Sequence, residues 1–200
     1  VAAAWAEILR RVPGSTLLVK GSSGKKYMTR ERYRILLRAG IPAERIRMEK
    51  PSHHFFFFFM DVDIQLDTCP YVGGATMADS LFMGVPVITR YGKRHGTRFG
   101  YSMLMQVGAG ELASPDTEGY IERAVALARD RQLLAALHAQ LPERMRQSPL
   151  MDSRGYLREL EACYEEIWQR WLREPEEADE FPAFCGVFEK GNREFVENKI

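Results

Sequence analysis

The segment Asp63-Ile64-Gln65-Leu66-Asp67-Thr68-Cys69-Pro70-Tyr71-Val72-Gly73-Gly74-Ala75-Thr76-Met77-Ala78-Asp79 decides the fold. Val62 to Leu66 reads as an apolar strand, Gly73-Gly74 as a tight turn, and Ala75 to Met83 as a helix. A further apolar strand, Val85 to Thr89, follows at once. A strand that enters a helix through a glycine turn and is succeeded by a second covered strand is the building unit of a parallel sheet. In open parallel sheets ligands bind beyond the carboxyl ends of the strands, where a helix N-terminus offers free N–H groups to a phosphate. Gly73 and Gly74 lack a Cβ and let the backbone approach a diphosphate. Thr76 adds a hydroxyl, and Asp79, one turn further, is placed to accept from ribose hydroxyls. The same spacing fits a plain turn with Thr76 or Asp79 as a helix cap.

Outward from this segment the alternation continues. Ala2 to Arg11 has the apolar spacing of an amphipathic helix, ended by Pro13-Gly14. Ser15 to Lys20 is a strand, Thr29 to Ala39 a helix stopped at Gly40, and Ile46 to Met48 a strand. Helices are expected at Tyr101 to Val107, Thr117 to Arg129, Arg131 to Leu141 and Arg154 to Leu172. The fold class is therefore α/β, a Rossmann-like parallel sheet with helices on both faces. Residues 1–172 form the domain, and residues 173–200 an acidic linker and tail, opening with Arg173 to Glu180.

Hydrophobic residues at 46% and charged residues at 28% exclude disordered and fibrous classes. Lys and Arg number 28 against 27 Asp and Glu, which argues against a nucleic-acid-wrapping surface. No apolar run approaches the roughly 18–20 residues of a membrane span. Cys69, Cys163 and Cys185 are widely and irregularly spaced, so neither a disulfide framework nor a zinc site is indicated. The expectation is a cytoplasmic protein in a reducing compartment, with no nucleic-acid or membrane partner.

Other motifs point less far. Gly21-Ser22-Ser23-Gly24-Lys25 fails the phosphate-loop test, because only two residues separate its glycines. Asp61-Val62-Asp63 opens an apolar strand and lacks the second acidic cluster of a metal site. His53 and His54 have no third ligand at sensible spacing. Phe55 to Phe59 is expected to be a packed helix rather than a membrane anchor. Arg90, Lys93, Arg94, His95 and Arg98 make a basic loop, either solvated or in contact with a diphosphate or acceptor.

The stretch DVDIQLDTCPYVGGATMADSLFMGVPVITRYG resembles the catalytic C-terminal half of the O-linked N-acetylglucosamine transferase and SPINDLY family, glycosyltransferase family 41. The likeness extends from Trp5 to Lys20, through Gly40 to Ile46, and downstream through Arg98, Ser148 to Leu150, and Glu159 to Trp168. The resemblance implies a GT-B enzyme of two Rossmann-like domains, of which this chain is the C-terminal, donor-binding one. A missing N-terminal catalytic half and tetratricopeptide repeats are implied as partners. The implied reaction is metal-independent transfer of a sugar to Ser or Thr hydroxyls of a protein acceptor, with no cofactor. UDP-N-acetylglucosamine is the implied donor; the alternatives are O-fucosyl transfer from GDP-fucose, a non-catalytic nucleotide-binding remnant, and an unrelated nucleotide-binding α/β protein. By position Gly73, Gly74, Ala75 and Thr76 fall on the diphosphate turn and Asp79 on the ribose-binding acid. Arg98, Lys20 and Lys50 are candidate cations. Where family members carry His-Thr or Thr-Thr, this chain has Gly74-Ala75 and loses side-chain donors. His54 lies one residue off the family's donor-site histidine, so no catalytic residue is assigned.

Overall fold

The computed structural model describes residues 1–20, 26–50 and 55–173. It contains helix α1 (Ala2–Arg11), strand β1 (Leu17–Lys20), α2 (Lys26–Arg38), β2 (Ile46–Glu49), β3 (Gln65–Leu66), α3 (Ala75–Phe82) and β4 (Val87–Arg90). Helix α4 (Phe99–Gln106), β5 (Ala113–Ser114), α5 (Thr117–Arg129), α6 (Arg131–Gln147) and α7 (Ser153–Arg173) complete it. The Gly21 to Lys25 loop, His53 and His54, and residues 174–200 lie outside the described residues.

All strand pairs are parallel, as the alternation requires. Among the described residues they fall into two sheets, β1–β2 and β3–β4–β5. Leu17 lies opposite Ile46, Gln65 opposite Val87, and Thr89 opposite Ala113. The central strand β4 buries Val87, Ile88 and Thr89 completely, which explains its unbroken apolar run. Met77 and Leu81 of α3, Leu104 of α4, Leu127 of α5 and Leu141 of α6 join it in the main core. Each buried leucine contributes about 1.5–3 kcal/mol relative to exposure. A second cluster gathers Leu9, Leu17, Leu36 and Ile41. Trp5 and Leu66 pack against both clusters and so join the two sheets.

Local chemistry sets the ends of the elements. Asp116 caps α5 by accepting from the Gly119 N–H, and Asp130 caps α6 through the Leu133 N–H. Beyond α1, Arg45 donates to the carbonyls of Leu9, Val12 and Ser15 and to the Ser15 hydroxyl. Of these, the Leu9 carbonyl lies in the last turn of α1, where few donors within the helix remain. The expected stop at Leu141 is overrun: α6 continues through Pro142 to Gln147. The turn between α3 and β4 comes so close to this point that a Cβ at Gly84 would lie 2.7 Å from the His138 carbonyl. Gly84 also holds φ at +84°, a second reason for glycine there.

The phenylalanine run differs from the packed helix its composition suggests. It forms a 3-10 turn, Phe55–Asp61, with Phe56, Phe57 and Met60 exposed. Strand β3 is shorter than Val62–Leu66, and β5 was not foreseen.

Contacts within the chain divide it between Met151 and Asp152. The described part of the second unit is α7, a helix of 21 residues capped by Asp152 through the Gly155 N–H. No residue of α7 is buried; Tyr156, Tyr164, Ile167 and Trp168 are exposed, and Trp168 stacks on Trp171 at 5.2 Å. Among the described residues no helix is long and apolar enough to cross a membrane.

Candidate functional site

The chain leaves β3 at Leu66 and delivers Asp67 to the interior, 3% exposed. Its carboxylate accepts three hydrogen bonds: Thr89 Oγ1 at 2.7 Å, the Gly73 N–H at 2.8 Å and the Thr68 N–H at 2.9 Å. Burial holds the Asp67 carboxyl above its ordinary range, and the three donors pull the other way. The Asp67 carbonyl in turn accepts from the Tyr120 hydroxyl at 3.0 Å, and the Trp5 indole N–H donates to that hydroxyl at 3.0 Å. Burial pushes the Tyr120 phenol up, so it remains a donor. Asp67 therefore ties the end of β3 to β4, to α5 through Tyr120, and to the glycine turn.

That turn is built differently at its two glycines. Gly73 faces inward: its N–H is held by Asp67, and a Cβ there would lie 2.8 Å from Thr76 Oγ1 and 3.1 Å from Met77 Cγ. Gly74 faces open space, with nothing within 4 Å of a Cβ. Gly74 is also the residue before α3, and its carbonyl accepts from the N–H groups of Met77 and Ala78. The N–H groups of Gly74, Ala75 and Thr76 donate to no acceptor among the described residues. These are the unsatisfied donors of a helix start, carrying its partial positive charge. Ala75 and Thr76 are exposed. Asp79 lies one turn along, half-buried, with no hydrogen-bond partner for its carboxylate among the described residues; partial burial raises its pKa. The structure thus brings Gly74, Ala75, Thr76 and Asp79 onto one stretch of α3, with Gly73 behind them.

The candidate cations are carried by other elements. Lys20 ends β1, its ammonium 4.9 Å from the Phe58 ring, and Lys50 is exposed just past β2. Arg98 starts α4, its guanidinium over the stacked rings of Tyr91 and Tyr101 and bonded to the Gly92 carbonyl. Helix α4 abuts the start of α3, since a Cβ at Gly100 would meet Thr89 Oγ1 and Met77 Sδ within 3 Å. Asp61 is ion-paired with Arg47 at 2.7 Å.

A cleft of about 550 Å³ opens beyond the carboxyl ends of β3, β4 and β5. Cys69 and Pro70 line it from the first, Arg90 to Arg94 with Thr97 from the second, and Pro115 to Thr117 from the third. Arg90 is fixed across it, donating to Cys69 Sγ at 2.9 and 3.1 Å and to Thr117 Oγ1 at 2.5 Å. Two features escaped the sequence reading. Asp67 had a signal, a carboxylate ending an apolar strand; the pairing of Arg90 with Cys69 had none.

Residues 1–160 match the family model described as glycosyl transferase family 41. Over 171 residues the chain is 36% identical to a probable UDP-N-acetylglucosamine–peptide N-acetylglucosaminyltransferase, SPINDLY, of Solanum lycopersicum, an alignment covering 84% of this chain and 18% of the relative. It is 31% identical over 169 residues to a second protein of that description, SEC, of Arabidopsis thaliana, covering 82% of this chain and 17% of the relative. A solved structure of the Thermobaculum terrenum O-GlcNAc transferase, a lysine-to-methionine mutant, matches with a TM-score of 0.78 at 31% identity. That match covers 84% of this chain and 33% of the other. The chain spans less than a fifth of the length of these curated relatives.

Proposed function

Because the chain belongs to glycosyl transferase family 41, we propose that it is the nucleotide-sugar-binding domain of a protein O-glycosyltransferase. The donor diphosphate lies on the free N–H groups of Gly74, Ala75 and Thr76, and Asp79 accepts from the ribose hydroxyls. The observation that carries this reading is a run of three amides that have no acceptor among the described residues, followed, one turn later, by a carboxylate with no partner among them. Phosphate oxygens match the first and vicinal hydroxyls the second. The reaction is transfer of N-acetylglucosamine from UDP-N-acetylglucosamine to Ser or Thr hydroxyls of a polypeptide. The two plant relatives, both probable UDP-N-acetylglucosamine–peptide N-acetylglucosaminyltransferases, support that donor. As the sugar departs, negative charge gathers on the nucleoside diphosphate. Preorganised amides at α3 stabilise that charge without a resident metal. Gly73 belongs to the support of the turn, since its N–H is bonded to Asp67.

Calorimetric titration with UDP, GDP and UDP-N-acetylglucosamine tests the reading. Binding of UDP and UDP-N-acetylglucosamine is expected, weakened by about 1–3 kcal/mol in Asp79→Ala, the cost of orphaning buried polar partners. No binding at millimolar ligand refutes the reading, and preference for GDP redirects it to O-fucosyl transfer. A second reading, a nucleotide-binding domain without catalysis, draws support from Gly74 and Ala75, which supply backbone donors only. Binding without turnover in the full-length protein would favour it.

A further inference from the structure

Among the described residues Asp67 alone is a carboxylate buried from solvent, and the proposed transfer makes no use of its charge. Its donors are all neutral: the amides of Thr68 and Gly73 on Oδ1 and the Thr89 hydroxyl on Oδ2. No ion pair reaches it among the described residues. Its charge is therefore solvated by hydrogen bonds but cancelled by no cation. The two oxygens respond differently to a proton. The amides on Oδ1 can only donate, whereas a hydroxyl donates or accepts. Thr89 can thus turn its hydrogen away and accept from a protonated Oδ2, with Gly73 still bonded to Oδ1. The arrangement suits both the ionised and the neutral acid.

The N–H that Asp67 holds is the one immediately before the amides of Gly74, Ala75 and Thr76, which have no acceptor among the described residues. A diphosphate bound there places fixed negative charge close to a buried carboxylate, where like charges repel far more than in water. We propose that Asp67 is the proton-linked charge of the donor site: ionised, it holds affinity for the diphosphate down, and it takes up a proton from solvent when a nucleotide sugar binds. The assignment rests on the reading of α3 as the donor site and gives that site regulation by pH. Burial already holds the Asp67 carboxyl above its ordinary range, the direction that such uptake requires. The titratable and charged groups on the surrounding elements are few. Cys69 of its own loop is bonded to Arg90 of β4, and Arg98 at the head of α4 is turned onto Tyr91 and Tyr101. From α5 comes Tyr120, a phenol that burial keeps protonated, and from α1 only the neutral Trp5 joins this network. Asp79 of α3 acts with the opposite sign, since its protonation removes an acceptor for ribose hydroxyls.

Calorimetry on the full-length protein tests this, with UDP-N-acetylglucosamine as the probe because its diphosphate keeps a fixed charge across mild acid. Titrations from about pH 4 to about pH 7, in pairs of buffers that differ in ionisation enthalpy, count the protons bound with the ligand. Proton uptake approaching about one per ligand is expected, with affinity falling about tenfold from the acid to the neutral end. Asp67→Asn is uncharged and can bond Thr89 and Gly73 as the neutral acid does. At about pH 7 it should bind the ligand as tightly as the parent does at the acid end, without the slope or the uptake. The four histidines of the chain titrate in the upper part of this range, so a slope or uptake that persists in Asp67→Asn belongs to another group and overturns the proposal. Zero proton uptake by the unaltered protein overturns it independently of how the variant folds, as does affinity that weakens toward acid. Absence of binding at every pH overturns the donor-site reading itself. Binding of the donor that is independent of pH overturns this proposal alone.

Discussion

Asp67 Oδ1 accepts the backbone N–H of Gly73 at 2.8 Å, so a buried carboxylate anchors the turn that opens α3. The bond turns Gly73 inward, while the next three amides have no acceptor among the described residues. The free donors at α3 thus depend on a residue that itself points away from them.

Asp67 carries a pH signature. Burial raises its folded-state pKa above the ordinary value of 3.8, so between the two values the folded protein binds more protons than the unfolded chain. Stability contributed by this group is then fullest below the unfolded value and falls as pH rises through the folded one. Asp67→Asn cannot ionise and lacks this slope. Denaturant unfolding at steps from about pH 4 to about pH 7 should show the stability of the parent protein, relative to the variant, declining as pH rises. A pH-independent difference would contradict the assignment.

The two glycines separate stability from binding. Gly73→Ala pushes a methyl against Thr76, the fully buried Met77 and Asp67, and should cost about 1–3 kcal/mol, the usual range for overpacking. Gly74→Ala meets open space and should stay within about 0.5 kcal/mol of the parent. Gly74→His puts a side-chain donor in that space and should tighten UDP binding by about 0.5–1.5 kcal/mol, one net hydrogen bond. Thermal melts and calorimetry on the three variants decide the matter. A destabilised Gly74→Ala would show that the space is not open.

Arg45 binds three carbonyls and a hydroxyl between α1 and β1, at 2.7 to 2.9 Å. Lysine keeps the charge but presents one nitrogen in place of a planar fork. Arg45→Lys should therefore lose about 1–3 kcal/mol. A two-state denaturation curve measures it, and an unchanged midpoint would mean water replaces the guanidinium without loss.

How far the sequence carried the reading follows from the range of the forces involved. Thr117 to Arg129 matched its helix in full because the Asp116 cap and the apolar spacing are both local. Pro142 misled because the helix that passes through it is fixed by packing against α3 and the turn that follows it, distant in sequence. Ala113-Ser114 is a strand only because β4 lies beside it; two small residues carry no strand signal. At the site, Gly74 to Thr76 and Asp79 were legible because turn chemistry and helical spacing are short-range. Which glycine faces inward was not, since that depends on a carboxylate six residues upstream and on Thr89 from the next strand.

Tyr120 links three elements through its hydroxyl. It donates to the Asp67 carbonyl at the end of β3, accepts from the Trp5 indole on α1, and itself sits on α5, 4% exposed. Tyr120→Phe keeps the ring and its packing and removes only the oxygen. The Trp5 N–H and the Asp67 carbonyl then lose a partner at once, and each orphaned buried group costs about 1–3 kcal/mol. In a unit of this size about 1 kcal/mol moves Tm by about 2–4 °C, so a fall of several degrees is expected. Trp5→Phe orphans nothing comparable, because the Tyr120 hydroxyl still donates to Asp67; its cost comes instead from the packing the indole makes against both clusters. Melting curves for the two variants and their combination test the chain: if it acts as one network, the double variant loses less than the two single losses together. Strict additivity would show that the two bonds stabilise the fold independently.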